Sequence, residues 1–289
     1  MTAVPGTPQI QNLIPMQYFG TDAMAAPIMG IAATLVLFFG GLFYLEWRKR
    51  SYEKKGEFFS QPDAAHAAAV IDASELPNPY FSFIPLIAVV AVLNVVPGLV
   101  GLDPTSPLNI IYALLAGNVL VMVLNLGKKE TFIPAINKGA QGSIGAIMNT
   151  AAAVGFGSVA RAVPGFQVLT DAIMNIPGSP LISLSIAVNV LAGATGSASG
   201  GMGIALEALG AKYMELAQQS GIAPAAFHRI AALSSGGLDT LPHNGAVLTL
   251  LNNTGMSHKD SYVDIMVTSL LMPVVATIVA IGLASMGIY

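Results

Sequence analysis

"SSGGLDTLPHNGAVLTLLNNTG", Ser234 to Gly255, gathers Asp239, His243 and Asn244 around Pro242, with glycines on both sides. Apolar runs flank it, Ile230–Leu233 before and Ala246–Leu251 after. Asp, Asn, Pro and Gly are ordinary turn residues, so a surface loop between two short helices is one reading. The apolar flanks favour another: a helix broken at membrane depth. Non-helical backbone is tolerated there only where protein or a water-filled cavity satisfies its polar groups.

The whole chain supports the second setting. Of 289 residues, 54% are hydrophobic and 9% are charged, against roughly 25% charged in a soluble domain. This composition describes an integral membrane protein. A net charge of −3, with no basic cluster interleaved with aromatics, argues against a nucleic-acid binder. The absence of cysteine removes disulfides, Fe–S clusters and thiolate metal sites. The first basic residue is Arg48, so the N-terminus lacks the charged start of a signal peptide.

A spanning helix needs about 20 mostly apolar residues. Met24–Trp47, Phe83–Gly101 and Asn109–Leu126 meet that length or come close to it, and Val263–Met286 closes the chain. Eight of the twelve basic residues follow the first and third of these, from Arg48 to Lys55 and from Lys128 to Lys138. By the positive-inside tendency both places are cytoplasmic. The stretch 48–82 reads as a cytoplasmic linker, the only long soluble-looking segment.

Three further segments are apolar but interrupted. Residues 139–176 read as a re-entrant hairpin bent at Gly155 and Gly157, with Arg161 near the bend. A charge at that depth is costly, so Arg161 either snorkels to an interface or lines a wet cavity. Residues 181–210 read as a broken helix crossing from inside to outside. Its interruption, Gly193–Gly203, holds five glycines, each costing about 1 kcal/mol in a helix interior. Close packing through small residues explains such a run. So does an unwound stretch whose free N–H groups face a ligand, and Ser197 and Ser199 favour that reading. Residues 224–255 form the second broken helix. Its half-helix ends would suit ions of either sign.

"ATGSASGGMGIALEALG" (194–210) followed by "HRIAALSSGGLDTLPHNGAVLTLLNNTGMSHKDSY" (228–262) resembles the C-terminal half of the gluconate permease (GntP-type) family. "MTAVPGTPQIQNLIP" with "YFGTDAMAAPIMGI" resembles the middle of the same family. The resemblance implies an all-α polytopic protein of the inner membrane, one inverted-repeat half of an ion-transporter-superfamily fold with a re-entrant hairpin and broken helices. It also implies proton-coupled symport of gluconate or a related small hydroxycarboxylate, without enzymatic activity or cofactor. The alternatives are a truncated or split half-transporter, inactive without a first repeat, and a sodium-coupled carboxylate transporter. Family members are longer, so 1–23 is expected to be the tail of a first repeat and 24–289 a complete second one. Thr2–Ile14 precedes an inward helix as Asp239–Leu251 precedes an outward one if 224–255 crosses rather than dips and returns, and they share only the proline when Pro5 is set on Pro242. Met1 would then be internal to a longer protein or belong to a split gene. The chain would need a first-repeat polypeptide or a homo-oligomer to work.

On that resemblance, Asn149, Thr150, Ser197, Ser199, Gly200 and Gly201 are expected substrate contacts. Thr240 and Asn244 would bind sugar-acid hydroxyls, and Asp239 or His243 would carry the proton. His228 and Arg229 are expected as interfacial anchors, and His258 with Lys259 at the cytoplasmic end of the last helix. An intramembrane hydrolase would need Ser234 or Ser235 paired with His243, and the sequence offers no third member. "NLGKKET" is no phosphate loop, because Met122 stands where its first glycine belongs. "GSASGGMG" does not follow a strand, which argues against a dinucleotide fold. The four histidines are scattered, giving no metal motif, and "NNT" at Asn252 is a chance glycosylation match beside a membrane element.

Overall fold

A computed structural model describes residues 4–58 and 78–289. It is 79% helical, and no strand occurs among the described residues. Two short helices, α1 (Ile10–Leu13) and α2 (Met16–Phe19), precede α3 (Pro27–Lys54). Next come α4 (Pro79–Asn94), α5 (Val96–Val100) and α6 (Leu108–Leu124), then a 3-10 turn at Leu126–Thr131. The chain continues with α7 (Phe132–Ala162), α8 (Pro164–Met174), α9 (Pro180–Thr195) and α10 (Ala198–Ser220). It ends with α11 (Pro224–Ser234), α12 (Gly245–Thr254), α13 (His258–Met266) and α14 (Met272–Ser285).

Two helices among the described residues are long and apolar enough to cross a membrane: α3, and the 28-residue run His258–Ser285. They lie antiparallel. Arg48 near the end of α3 bonds Asp264 in the first two turns of that run, and Gly40 faces Met272. The first span therefore continues past Trp47, and Arg48 to Lys54 form its last turns rather than a loop. Most of the linker, residues 59–77, falls outside the described residues. Inside the last span lies a π-turn, Val267–Leu271. Pro273 sits just beyond it and has no N–H to return to the carbonyl of Ser269, which loosens the ladder there.

Proline also sets the other breaks. Pro97 ends the second expected span early, at Asn94, and a short α5 follows. The bend expected at Gly155 and Gly157 is absent, since α7 runs as one helix through both glycines. Alanines around them favour helix strongly enough to carry two weak formers. The chain turns instead at Val163, whose extended backbone is the one favoured before a proline, here Pro164. The side chain of Arg161 lies outside those described.

The largest revision concerns 181–210. It does not cross as a broken helix. It folds back on itself as a hairpin of α9 and α10, joined by Gly196 and Ser197 alone. Tyr213, far along α10, donates its hydroxyl to Ser183 Oγ near the start of α9, 3.3 Å away. A Cβ on Gly201 would fall on the backbone of Ala192, so only glycine lets the two helices approach this closely. Lipid tails are as apolar as leucine, so close packing of small residues is what holds such helices together in a membrane. Ala187, Ala192 and Ala205 line this contact fully buried.

Against the hairpin packs α11, the most enclosed helix, with Phe227, Ile230 and Ala231 all fully buried. Phe227 stacks between Phe19 and Tyr213, with ring centroids 5.9 and 6.3 Å away. His228 and Arg229 are buried completely, so they are not interfacial anchors. Arg229 donates Nη1 to Asn12 Oδ1 at 2.9 Å and Nε to Ala25 O at 3.0 Å. His228 Nδ1 lies 2.7 Å from Thr21 Oγ1, and its Nε2 lies 3.3 Å from Asn12 Oδ1. Asn12 in turn donates to Thr7 O and Ala23 O. A buried Arg survives only when its donors are satisfied. Here the N-terminal segment supplies the acceptors and is thereby fixed to α11.

Candidate functional site

The α9–α10 turn meets the break between α11 and α12. Gly196 adopts φ +62°, a left-handed conformation that favours glycine. A Cβ there would come within 2.8 Å of the His243 ring. His243 Nε2 lies 3.1 Å from Gly193 O, and the Asn244 amide donates to Gly196 O at 2.8 Å. Two consecutive residues of the break thus hold the hairpin tip by its carbonyls.

Both helices that start here are capped by side chains. Ser197 Oγ accepts from Gly200 N at 3.2 Å at the start of α10. Asn244 Oδ1 accepts from Ala246 N and Val247 N, at 2.6 and 3.1 Å, at the start of α12. Ser and Asn are favoured caps because they satisfy first-turn donors that no helical carbonyl can reach. The earlier N–H groups, on Ala198, Ser199 and Gly245, precede the first intrahelical partner. Both N-termini open on one cleft of about 770 Å³, whose wall includes Gln11, Thr195, Ser197, Ser199, Asp239 and Asn244. Two positive helix ends converging on a polar cleft make a site for an anion.

Asp239 lies in the 3-10 turn Leu238–Thr240 between the half-helices. Its Oδ1 is buried with no hydrogen-bond partner among the described residues. It borders the cleft on one side and a second cavity of about 530 Å³ on the other. Thr240 faces that second cavity, its Oγ1 placed 3.0 Å from Gly237 O and 3.2 Å from Ser269 O, the carbonyl that Pro273 leaves free.

The expected residues divide accordingly. Ser197, Ser199, Asp239 and Asn244 come together at the cleft, with His243 bonded to the hairpin tip beside them. Gly200 and Gly201 do not line it. They are buried in the α9–α10 contact, and their N–H groups bond Ser197 Oγ and Ser197 O. Asn149 and Thr150 fall on α7, and their side chains lie outside those described. Ser234 Oγ donates to Ser185 Oγ and Ser235 Oγ to Ala232 O, so neither serine is paired with His243. No group of three or more His, Cys, Asp or Glu that could hold a metal occurs among the described residues. Sequence reasoning missed Gln11, which borders both cavities. It sits on a four-residue helix, too short for any periodicity to mark its face.

No family model matches the chain, and no solved structure matches it significantly. Among curated proteins, YxjC of Bacillus subtilis (strain 168), described as an uncharacterized transporter, is similar to it. The two are 37% identical over 303 aligned positions, covering 94% of this chain, which spans about 64% of the length of that relative.

Proposed function

We propose that the chain belongs to a secondary active transporter that takes up a small carboxylate, such as gluconate, together with a proton. One observation carries this reading: the capped N-termini of α10 and α12 open on one cleft with the buried, unpartnered Oδ1 of Asp239 in its wall. The similarity to a protein described as a transporter, over most of this chain, supports transport as the class of activity.

The membrane setting fits. If the basic end of α3 is cytoplasmic, Asp264 lies at the same end and the last span runs outward. Thr240 ties the break to the π-turn, well inside that span. His243 and Asn244 tie the α9–α10 turn to the same level. From there α9 shares an apolar groove with α14, not with α13, so the hairpin enters from the outer face. The pair α9–α10 then takes the re-entrant role, and α11 with α12 forms a broken span. Such paired breaks near mid-membrane are where alternating-access transporters bind substrate.

Within the cleft the anionic end of the substrate meets the N–H groups of Ala198, Ser199 and Gly245, with the Ser197 and Ser199 hydroxyls beside them. Asn244 keeps one amide hydrogen for a sugar-acid hydroxyl, since the other holds Gly196 O. Asp239 carries the proton. An unpaired buried charge costs several kcal/mol, and protonation removes that cost as the site closes. His243 is the alternative carrier.

Uptake of radiolabelled gluconate into vesicles tests this, with a proton gradient, a sodium gradient or neither. It is run with this chain alone and with a polypeptide matching the remainder of the relative. Proton-driven uptake that Asp239→Asn abolishes and His243→Gln retains is the expected result. Uptake driven only by sodium would remove the proton from the reading. Full uptake by a variant lacking Ser197, Ser199, Asp239 and His243 would remove the site.

A further inference from the structure

We propose that the proton reaches Asp239 by its own route, through the second cavity, while the substrate arrives through the cleft. This rests on the transport reading above. Asp239, Gln11 and Ala198 are the residues that both cavities share, so Asp239 stands in the wall between them. The two spaces differ in character. The cleft carries the helix N-termini and suits an anion. The second cavity lies between the middle of α3 and the π-turn, and its hydroxyls come from Thr34, Thr240, Thr268 and Ser269. Of α10 it takes only Ala198, and α14 opens there with Met272 and Pro273 and offers few donors, whereas Ser197, Ser199 and the start of α12 line the cleft alone.

Hydroxyls suit a proton path because each can accept one hydrogen bond while donating another. Thr34 donates to Gly30 O, Thr268 to Asp264 O, and Thr240 lies within reach of Ser269 O. Each retains lone pairs for water. A space of about 530 Å³ holds on the order of ten waters at roughly 30 Å³ each. Water there passes a proton to the Asp239 carboxylate, and the carboxyl returns it to water once the site has turned over. No other bond changes. Leu37 and Phe38 make one wall apolar, which offers a polyol acid no hydrogen bonds on that side. Beside the π-turn the Ser269 carbonyl, released from the ladder by Pro273, accepts from Thr240 Oγ1, and such turns recur at functional places in helices.

The absence of cysteine makes the test direct, because any cysteine introduced is the sole thiol. Thr34→Cys, Thr268→Cys and Ser199→Cys are each reconstituted and treated with a small water-soluble thiosulfonate. Each is compared with its own untreated self. At Ser199→Cys, saturating gluconate should slow labelling by about tenfold or more, as direct occlusion does. At Thr34→Cys and Thr268→Cys labelling should proceed at the same rate with or without gluconate. Labelling at these two positions should cut gradient-driven uptake about tenfold, while gluconate–gluconate exchange at saturating proton concentration falls less than about twofold.

Equal protection by gluconate at Thr34→Cys would show one shared cavity and overturn the separate route. Failure of both α3 and π-turn positions to label would show a dry space, with the same consequence. Loss of exchange in step with uptake would assign those positions to the substrate path. If the unsubstituted chain, with or without the added polypeptide, moves no carboxylate under any gradient, the transport reading itself fails and this proposal goes with it.

Discussion

Two helical hairpins, α4 with α6 and α9 with α10, have opposite fates. In the first, Phe83, Leu86, Ile87, Leu115 and Val119 stand more than half exposed. In the second, Leu184, Val188, Met202 and Leu206 are fully buried. Each closes on a glycine, Gly117 against Val89 and Gly201 against Ala192. What separates them is the connection. Thirteen residues, 95–107, including α5, join α4 to α6, whereas Gly196 and Ser197 alone join α9 to α10. The long connection leaves α4 and α6 as a peripheral wall. The tight one leaves a capped helix start projecting at the tip, and α11, α12 and the last span gather around it.

The sharpest way to break this contrast is to add one methyl group to each hairpin. Gly201→Ala would press a Cβ into the Ala192 backbone, which cannot rotate away. Overpacking of this kind costs about 3 kcal/mol or more, enough to lower the melting temperature in detergent by many degrees. Gly117→Ala presses on a Val89 methyl and meets the backbone, at Pro85 O, only at an ordinary 3.6 Å. The loss from moving that rotamer, about 1 kcal/mol, is offset by the gain of about 1 kcal/mol in helix propensity. That variant should melt near the parent. Comparable losses in both would show that the inner hairpin is no tighter than the outer one.

A smaller effect separates two asparagines that tie each hairpin to its neighbour. Asn244→Ala removes the cap of α12 as well as the bond to Gly196 O, a loss of about 1–2 kcal/mol. Asn94→Ala removes a bond to Gly6 O at the foot of the outer pair, worth about 1 kcal/mol. Denaturant or thermal melts should rank the first below the second. Hydrogen exchange should localise the Asn244→Ala loss to residues 244–254.

The smallest effect lies in the outer connection. The backbone N–H and hydroxyl of Thr105 hold the Asp103 carboxyl below the usual carboxylate range. A carboxyl with a depressed value in the folded state stabilises above its unfolded value, near 3.9. That contribution disappears as pH falls through the folded value. Thr105→Ala should therefore melt slightly below the parent at pH 6 and coincide with it near pH 2. A gap that widened on acidification would reverse the assignment.

Much of this architecture is legible in the residues. Composition marks the membrane, and the run Asp239–Asn244 marks the break that became the centre of the site. The serines at 197 and 199 mark the other helix start. The position of the fold-back is not legible, because a two-residue Gly-Ser turn and an interrupted helix look alike when no distant contact is known. Tyr213 against Ser183 settles it, and that pair is thirty residues apart. Glycines alone misled at 155 and 157, where flanking alanines keep the helix and Pro164 ends it. Arg229 misled for a related reason. A charge near an apolar run suggests an interface until Asn12 and Ala25, more than two hundred residues away, are seen to take its hydrogens.

The π-turn has a bearing on how the last span tolerates change in length. Each residue advances an α-helix by about 100°, and a π-turn absorbs one residue more than an α-turn would. Deleting one residue of Val267–Leu271 would restore an ordinary ladder with both flanks in phase, whereas winding all the present residues into a regular α-helix would turn α13 against α14 by about that angle. Asp264 would swing away from Arg48 and Tyr44, now 2.8 and 2.6 Å off, while Ala276, Ala280 and Ala284 kept their buried faces. The slack residue lets one helix keep time with two sets of neighbours whose spacings do not share a common period.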